Sequence, residues 1–264
     1  MNGYYFNLKA IECGNRIELY KYSIAQEKGF EGYNKTGRKG KGMARVEKNR
    51  KETLNRARNN IIRLVNCNPD LTTFISLTYK ENMQNLRLSK THLNILFKQL
   101  QQDFDNFKYL YVLEFQQRGA IHYHMLCNFQ VHVETAKSRD FKPELQKQLE
   151  LQFHEMYWPH GWVDIRDLKQ EGNTNVGLYV SVYLVEDLYK LDLEGSRCYG
   201  YSRNLDRPVE KVYMTDLKPV EVINNYTDYN LKYASNYNMQ FEKEGRIFRG
   251  NVNYFDMYKK DEFT

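Results

Sequence analysis

Within Glu114-Phe-Gln-Gln-Arg-Gly-Ala-Ile-His122-Tyr-His124-Met-Leu-Cys-Asn, two histidines stand two residues apart in an apolar run. Residues i and i+2 of a strand share one face. His122 and His124 therefore point one way, and Ile121, Tyr123, Met125, Cys127 and Phe129 form a core side. Two adjacent imidazoles make half of a metal site. The strand before them, Lys108 to Gln116, supplies a third ligand if the turn sets the register. A loop of Gln117-Arg118-Gly119, with Gly119 in the left-handed position, puts Gln116 opposite Ala120 and Glu114 opposite His122. Glu114 then shares the histidines' face, and Tyr109, Tyr111, Leu113 and Phe115 join the core side. A one-residue slip would destroy that agreement. The plainer alternative is a half-buried hairpin whose histidines are surface residues.

Tyr179 and Tyr183 are the second chemical feature, in Asn175-Val-Gly-Leu-Tyr-Val-Ser-Val-Tyr-Leu-Val-Glu-Asp. Four residues apart on a helix, they lie on the same face. Paired phenolic hydroxyls suit nucleophilic attack on a phosphodiester when a metal polarises the phosphate. Aromatic packing against a sheet is the alternative.

The net charge of +6 is unevenly spread. From Lys35 to Arg63, eleven Lys or Arg stand against Glu47 and Glu52, an excess larger than that of the whole chain. Arg45 to Val65 reads as a helix ending near Asn66 and Pro69, preceded by a Gly-Arg-Lys-Gly-Lys-Gly arm. A basic arm feeding a basic helix suits phosphate backbones, with Arg50, Lys51, Arg56 and Arg58 as candidate contacts. A solvated helix face would also carry such charge. The 22 tyrosines, able to stack on bases, favour nucleic acid as the partner.

These residues need elements to position them. Tyr4 to Ala10 and Arg16 to Tyr22 read as a hairpin turning at Cys13-Gly14-Asn15. Thr72 to Tyr79 is a strand, and Ser89 caps a helix through Phe107 with Leu93, Leu96, Phe97 and Leu100 at helical spacing. After the histidine hairpin, Lys142 to Trp158 reads as a helix with Leu145, Leu149, Phe153 and Met156 on one side. Gly161 to Leu168 is a strand, and Asn175 begins a last helix through Lys190. The order is α+β, β-α-β-β-α-β plus a C-terminal catalytic helix: a ferredoxin-like antiparallel sheet with helices on its faces. Three segments follow: 1–69, an N-terminal hairpin and basic segment; 70–192, the core; and 193–264, a C-terminal appendage with short strands near Val209 to Thr215 and Arg246 to Tyr254.

At this point the chain resembles the rolling-circle replication initiators of the HUH endonuclease superfamily. Phe74-Ile-Ser-Leu-Thr-Tyr79 looks like their first motif, Arg118-Gly-Ala-Ile-His-Tyr-His124 like the histidine-hydrophobic-histidine motif, and Tyr179-Val-Ser-Val-Tyr183-Leu like the tyrosine motif of phage-type initiators. The resemblance implies a nickase and strand transferase of single-stranded origin DNA, serving a phage or plasmid in a bacterial host. Glu114, His122 and His124 would hold Mg²⁺ or Mn²⁺; Tyr179, aligned with the first tyrosine of the motif, would attack first and leave a 5′-phosphotyrosine and a free 3′-OH. Tyr183 would serve the second transfer. Family members commonly carry a lysine three residues after each tyrosine, where this chain has Val182 and Glu186; Lys169 or Lys190 could substitute in space, which the sequence does not decide.

Several classes are disfavoured. No run approaches the ~20 apolar residues of a membrane span, and the start of the chain lacks a signal-peptide pattern. Cys13, Cys67, Cys127 and Cys198 are scattered without a Cys-x-x-Cys pair, as expected in a reducing cytoplasm. Gly32 to Lys39 has Arg38 where a phosphate-binding loop requires Lys, so helicase as well as polymerase would come from the host. The rival readings are a transposase or relaxase-like nuclease of the same superfamily, a DNA-binding repressor that has lost catalysis, and a Zn²⁺ hydrolase, for which the paired tyrosines would be superfluous.

Overall fold

The computed structural model describes residues 3–29, 43–136, 141–170, 176–183, 197–243 and 245–260, with side chains described from Glu52 onward in the helix that begins at Met43. In chain order the elements are β1 (Tyr4–Cys13), β2 (Arg16–Lys28), α1 (Met43–Cys67), β3 (Thr73–Thr78), α2 (Leu86–Asp103), β4 (Tyr109–Phe115), β5 (Ile121–Cys127) and α3 (Glu144–Tyr157). They continue with β6 (Val163–Asp167), α4 (Val176–Ser181), β7 (Tyr199–Tyr201), β8 (Val209–Tyr213), α5 (Pro219–Asn224), β9 (Tyr229–Lys243) and β10 (Arg246–Lys259). The described residues thus form an α+β protein with two antiparallel sheets and five helices. No described helix is long and apolar enough to cross a membrane.

Contacts divide the chain into two compact units, Lys41–Asp206 and Met1–Gly40 with Arg207–Thr264. This grouping differs from the sequence-based segments 1–69, 70–192 and 193–264. The basic helix α1 and strand β7 belong with the histidine hairpin, and the N-terminal hairpin belongs with the last strands.

In the unit Lys41–Asp206 the strand order is β6-β3-β5-β4-β7, all neighbours antiparallel. Every residue of β5 is buried, because both faces of the sheet are covered. Ile75, Leu77, Leu113, Ile121, Tyr123, Met125 and Ile165 face α2 and α3. Phe74, Leu110, Val112 and Leu126 form a second core with Leu54, Ala57, Ile61, Leu64 and Val65 of α1 and Val180 of α4. The spacing of those α1 residues makes an apolar stripe of helical period, so α1 is a packed helix with a polar outer side. Gly177 lets α4 approach it closely: a Cβ there would lie 3.0 Å from Ile62 Cα.

Two helix boundaries correct the sequence reading. Asn85, not Ser89, caps α2: its side chain accepts from Leu88 N at 3.0 Å. Ser89 lies inside the helix and is buried, 2.9 Å from the Tyr123 hydroxyl. Helix α2 ends at Asp103, and Asn106 takes a positive φ of 52° in the turn that follows. On α3, Phe153 and Leu149 reach the core while Leu145 and Met156 are exposed. Gln146 takes their place by a different logic: it is fully buried and donates to Ile165 O of edge strand β6 at 2.9 Å. Glu150 accepts from Ile165 N at 3.0 Å, so this part of the edge is covered rather than open to further pairing.

In the other unit the order is β8-β1-β2-β10-β9. Leu8, Ala10, Ile17, Leu19, Phe255 and Met257 pack with Val222 of α5 on one face. The last two strands are long, 15 and 14 residues: the sequence reading expected only a short strand near Arg246 to Tyr254 and none over β9.

Candidate metal and nucleophile site

The register deduced for the β4–β5 hairpin is the one observed: Glu114 pairs with His122, Gln116 N donates to Ala120 O, and Gly119 has a φ of 80°. The three side chains meet at one end of the sheet. Among the described residues, Glu114, His122 and His124 are the grouping of metal-ligand types whose donor atoms converge, all within 4.8 Å of one another. His124 Nε2 lies 2.6 Å from Glu114 Oε2.

Strand β3 orients both rings from the neighbouring position in the sheet. Ser76 Oγ is 3.1 Å from His124 Nδ1, and Thr78 Oγ1 is 3.0 Å from His122 Nδ1. Each hydroxyl engages the inner nitrogen and leaves Nε2 for the site, the usual way a second contact fixes a ligating imidazole. Ser76 and Thr78 sit at alternate positions of the Phe74-Ile-Ser-Leu-Thr-Tyr79 strand, so their shared face was readable from period two. Their pairing with the histidines was not, because it depends on β3 joining β5.

Both histidines are buried and Glu114 is half-buried. Burial opposes ionisation of Glu114, but the hydrogen bond to His124 and the charges of His124 and His122 outweigh it and hold the carboxyl below its ordinary range. A carboxylate and two imidazoles across less than 5 Å fit a divalent ion, whose opposed ligands at ~2.1 Å would stand ~4.2 Å apart. The donor set therefore fits a metal.

A cleft of about 400 Å³ opens over this cluster, with Phe74, Tyr183, Asp164 and Arg166 in its wall. The ring of Tyr183 is 3.7 Å from that of His124 and stacks on Phe74 at 5.6 Å. Tyr179 packs edge-on against Phe74 at 5.2 Å and is not part of the cleft wall. The Tyr183 hydroxyl donates to that of Tyr179 at 3.5 Å. Burial first, then the contact with Tyr179, pushes the Tyr183 hydroxyl well above the ordinary tyrosine range; the charge of Arg166 pulls the other way.

Arg166 is a cation of the cleft wall that sequence reasoning missed. It pairs across the sheet with Phe74 and holds Asp164 through Nε at 3.1 Å, and Asp164 also binds Lys142 at 2.6 Å. Of the two lysines that the sequence offered as a substitute cation, Lys190 lies outside the described residues, and Lys169 is on the loop after β6. The helix expected from Asn175 to Lys190 is observed as α4 over Val176–Ser181, and Tyr183 lies not on it but in the turn that follows, where its N–H donates to Val180 O at 3.3 Å; residues 184–190 are outside those described. Arg56 of α1 points outward beside Glu52, 3.7 Å away, and Arg58 is half-exposed; the side chains of Arg50 and Lys51 lie outside those described.

The arrangement defines a class: an antiparallel sheet presenting a metal-capable triad, with a tyrosine ring packed beside it. Residues 72–188 match the family model of the replication-associated protein ORF2. The match covers β3 through α4 and takes in the triad and both tyrosines, and it supports a replication initiator. No curated protein and no solved structure matches the chain.

Proposed function

We propose that the chain nicks and rejoins single-stranded origin DNA by metal-dependent tyrosine transesterification, initiating rolling-circle replication of a phage or plasmid in a bacterial cytoplasm. The observation that carries this reading is Tyr183 in tilted ring contact with His124 in the same cleft as Glu114 and His122. The strand order β6-β3-β5-β4 supports a ferredoxin-like core of the HUH type.

Glu114, His122 and His124 would hold Mg²⁺ or Mn²⁺, which when bound polarises the scissile phosphate and offsets the charge that develops on its oxygens. The other roles fall to side chains. Ser76 and Thr78, 3.1 and 3.0 Å from the Nδ1 atoms, would accept from Nδ1–H once the ion is bound and so turn both Nε2 atoms toward it. Tyr183 supplies the attacking oxygen: its Oη–phosphorus bond forms as the bond from phosphorus to the 3′ oxygen breaks. The tyrosine proton leaves to solvent and the departing 3′ oxygen takes one up. The products are a 5′-phosphotyrosine and a 3′-OH that a host polymerase can extend once a host helicase opens the duplex. Reversal by another 3′-OH rejoins the strand without ATP, because the phosphodiester energy is kept in the protein linkage.

This geometry favours Tyr183 over Tyr179 for the first attack, the reverse of the order that motif alignment implies. Arg166 takes the role of the lysines that the tyrosine motif lacks. The decisive experiment incubates the protein with labelled single-stranded origin DNA and Mn²⁺ and looks for an adduct that survives denaturation. Adduct from the wild type, none with chelator, and none from H122A/H124A at undiminished DNA affinity is the expected result; undiminished adduct in excess chelator overturns it.

A further inference from the structure

The hairpin of β9 and β10 is two-faced. Directly opposed residues share a face, so Tyr233, Tyr237 and Phe241 lie with Asp256, Val252 and Phe248, whereas Asn236, Asn238 and Gln240 lie with Asn253, Asn251 and Arg249. A strand that buried one side against a core would show the opposite economy: its exposed side would be polar. Here Tyr233 is 56% exposed and Tyr237 45%. The aromatic side continues into the rest of the sheet, since Tyr254 pairs with Tyr20 and Tyr20 pairs with Lys9.

The result is a row across four strands. The Lys9 ammonium is 4.6 Å from the centre of the Tyr20 ring, Tyr20 is 5.0 Å from Tyr254, and Tyr254 is 6.2 Å from Tyr233. The covering helix α5 packs on the other side, with Leu19 and Phe255. Carboxylates on the aromatic side are matched by cations: Arg16 binds Glu18 at 2.9 Å and Asp256 at 2.6 Å. Exposed Lys232 adds an ammonium 5.3 Å from the Tyr258 ring.

We propose that this face is a second nucleic-acid site, a platform on which bases of single-stranded DNA stack on Tyr20, Tyr254, Tyr233 and Tyr237 while Lys9 and Lys232 meet the phosphates. Rings interleaved with ammonium groups, with the neighbouring carboxylates already paired, suit bases on a polyanion; a protein partner would need no cation at the rings. The platform needs no metal and no tyrosine nucleophile. Its DNA specificity, as opposed to RNA, rests on the function proposed above.

The test uses the full chain in chelator, with fluorescent oligothymidylate read by anisotropy, and the same preparations assayed for adduct with Mn²⁺ and origin DNA. Stacking on one tyrosine supports roughly five- to hundredfold in affinity, so Y233A/Y237A is expected to weaken binding at least about tenfold, and Y233F/Y237F to bind as the wild type does. K9Q should bind more weakly and with a shallower salt dependence. Both tyrosines are exposed, so melting temperature should be unchanged. Wild-type affinity in Y233A/Y237A overturns the platform; if the wild type still forms adduct, the nickase reading survives that failure. A loss of self-association in sedimentation, with DNA binding intact, makes the face a contact between copies and likewise overturns it. Tight oligothymidylate binding without any adduct sinks the nickase reading and leaves the platform standing.

Discussion

The ring of Tyr183 lies 3.7 Å from the ring of His124, whereas Tyr179 sits behind it against Phe74. If this cleft takes the scissile phosphate, Tyr183 has the shorter way to it. Replacing Tyr183 with Phe removes one oxygen and leaves the ring packing, so adduct formation should fall below detection. Tyr179→Phe removes the acceptor of the Tyr183 hydroxyl and should still give a first adduct, with repeated transfers impaired. Gel assays of single and multiple rounds check both; normal adduct from Tyr183→Phe would return the first attack to Tyr179.

Arg166 sets up a second expectation. It holds Asp164 in the cleft wall, and its charge opposes the burial that raises the Tyr183 hydroxyl. Arg166→Gln should therefore slow adduct formation by about 10²-fold, the scale of losing one charge-stabilising donor, and shift the alkaline limb of the pH–rate profile upward. Arg166→Lys should recover part of the rate. A profile unmoved by Arg166→Gln would reduce the residue to a structural partner of Asp164.

Much of the site was legible because it is local. The period of two separated His122 and His124 from Tyr123, and the Gly119 turn fixed Glu114 opposite His122. What escaped notice was carried by pairings distant in sequence. Asp164 and Arg166 reach the cleft only because β6 pairs with β3, and Ser76 touches His124 only because β3 pairs with β5. The second core was visible in Phe74, Leu110, Val112 and Leu126, the apolar residues at the even positions, yet it needs α1 to make sense of them. Helix α1 drew attention for its charge, and its apolar stripe shows why it packs with the central unit. The last strands were faint because Asn and Tyr alternate there in place of polar and aliphatic residues, so neither side announces a core.

Tyr123 offers a pH test of the core. Its hydroxyl is 2.9 Å from Ser89 Oγ, and burial pushes it from the ordinary 10.0 up to about 12. The folded state therefore keeps a proton that the unfolded chain releases above pH 10. The stability contributed by this group is full below the unfolded value and is lost as pH rises through the folded one. Unfolding by alkali should set in between pH 10 and 12, and Tyr123→Phe should flatten that decline while lowering neutral stability by about 1 kcal/mol through the missing hydrogen bond. Denaturant titrations at pH 8, below the ordinary value, and at pH 11, between the ordinary and raised values of this group, provide the comparison; equal losses in the two proteins would assign the alkaline transition to other tyrosines.

The outer side of α1 supplies the last prediction. Its apolar stripe is committed to the sheet, which leaves Arg56 in solvent with a 3.7 Å contact to Glu52. An exposed ion pair of that length contributes little to stability, so the charge is available for phosphate. Neutralising Arg50, Lys51, Arg56 and Arg58 to Gln should leave the melting temperature nearly unchanged and weaken binding to all single strands alike. Each phosphate no longer neutralised should flatten the slope of log K against log salt by about 0.7, because fewer condensed counterions are released. Titrations of an oligonucleotide across a salt series read the slope directly. If it stays where the wild type has it, the charges of α1 serve only to keep that side of the helix solvated, and the phosphate-binding groups must be sought elsewhere on the chain.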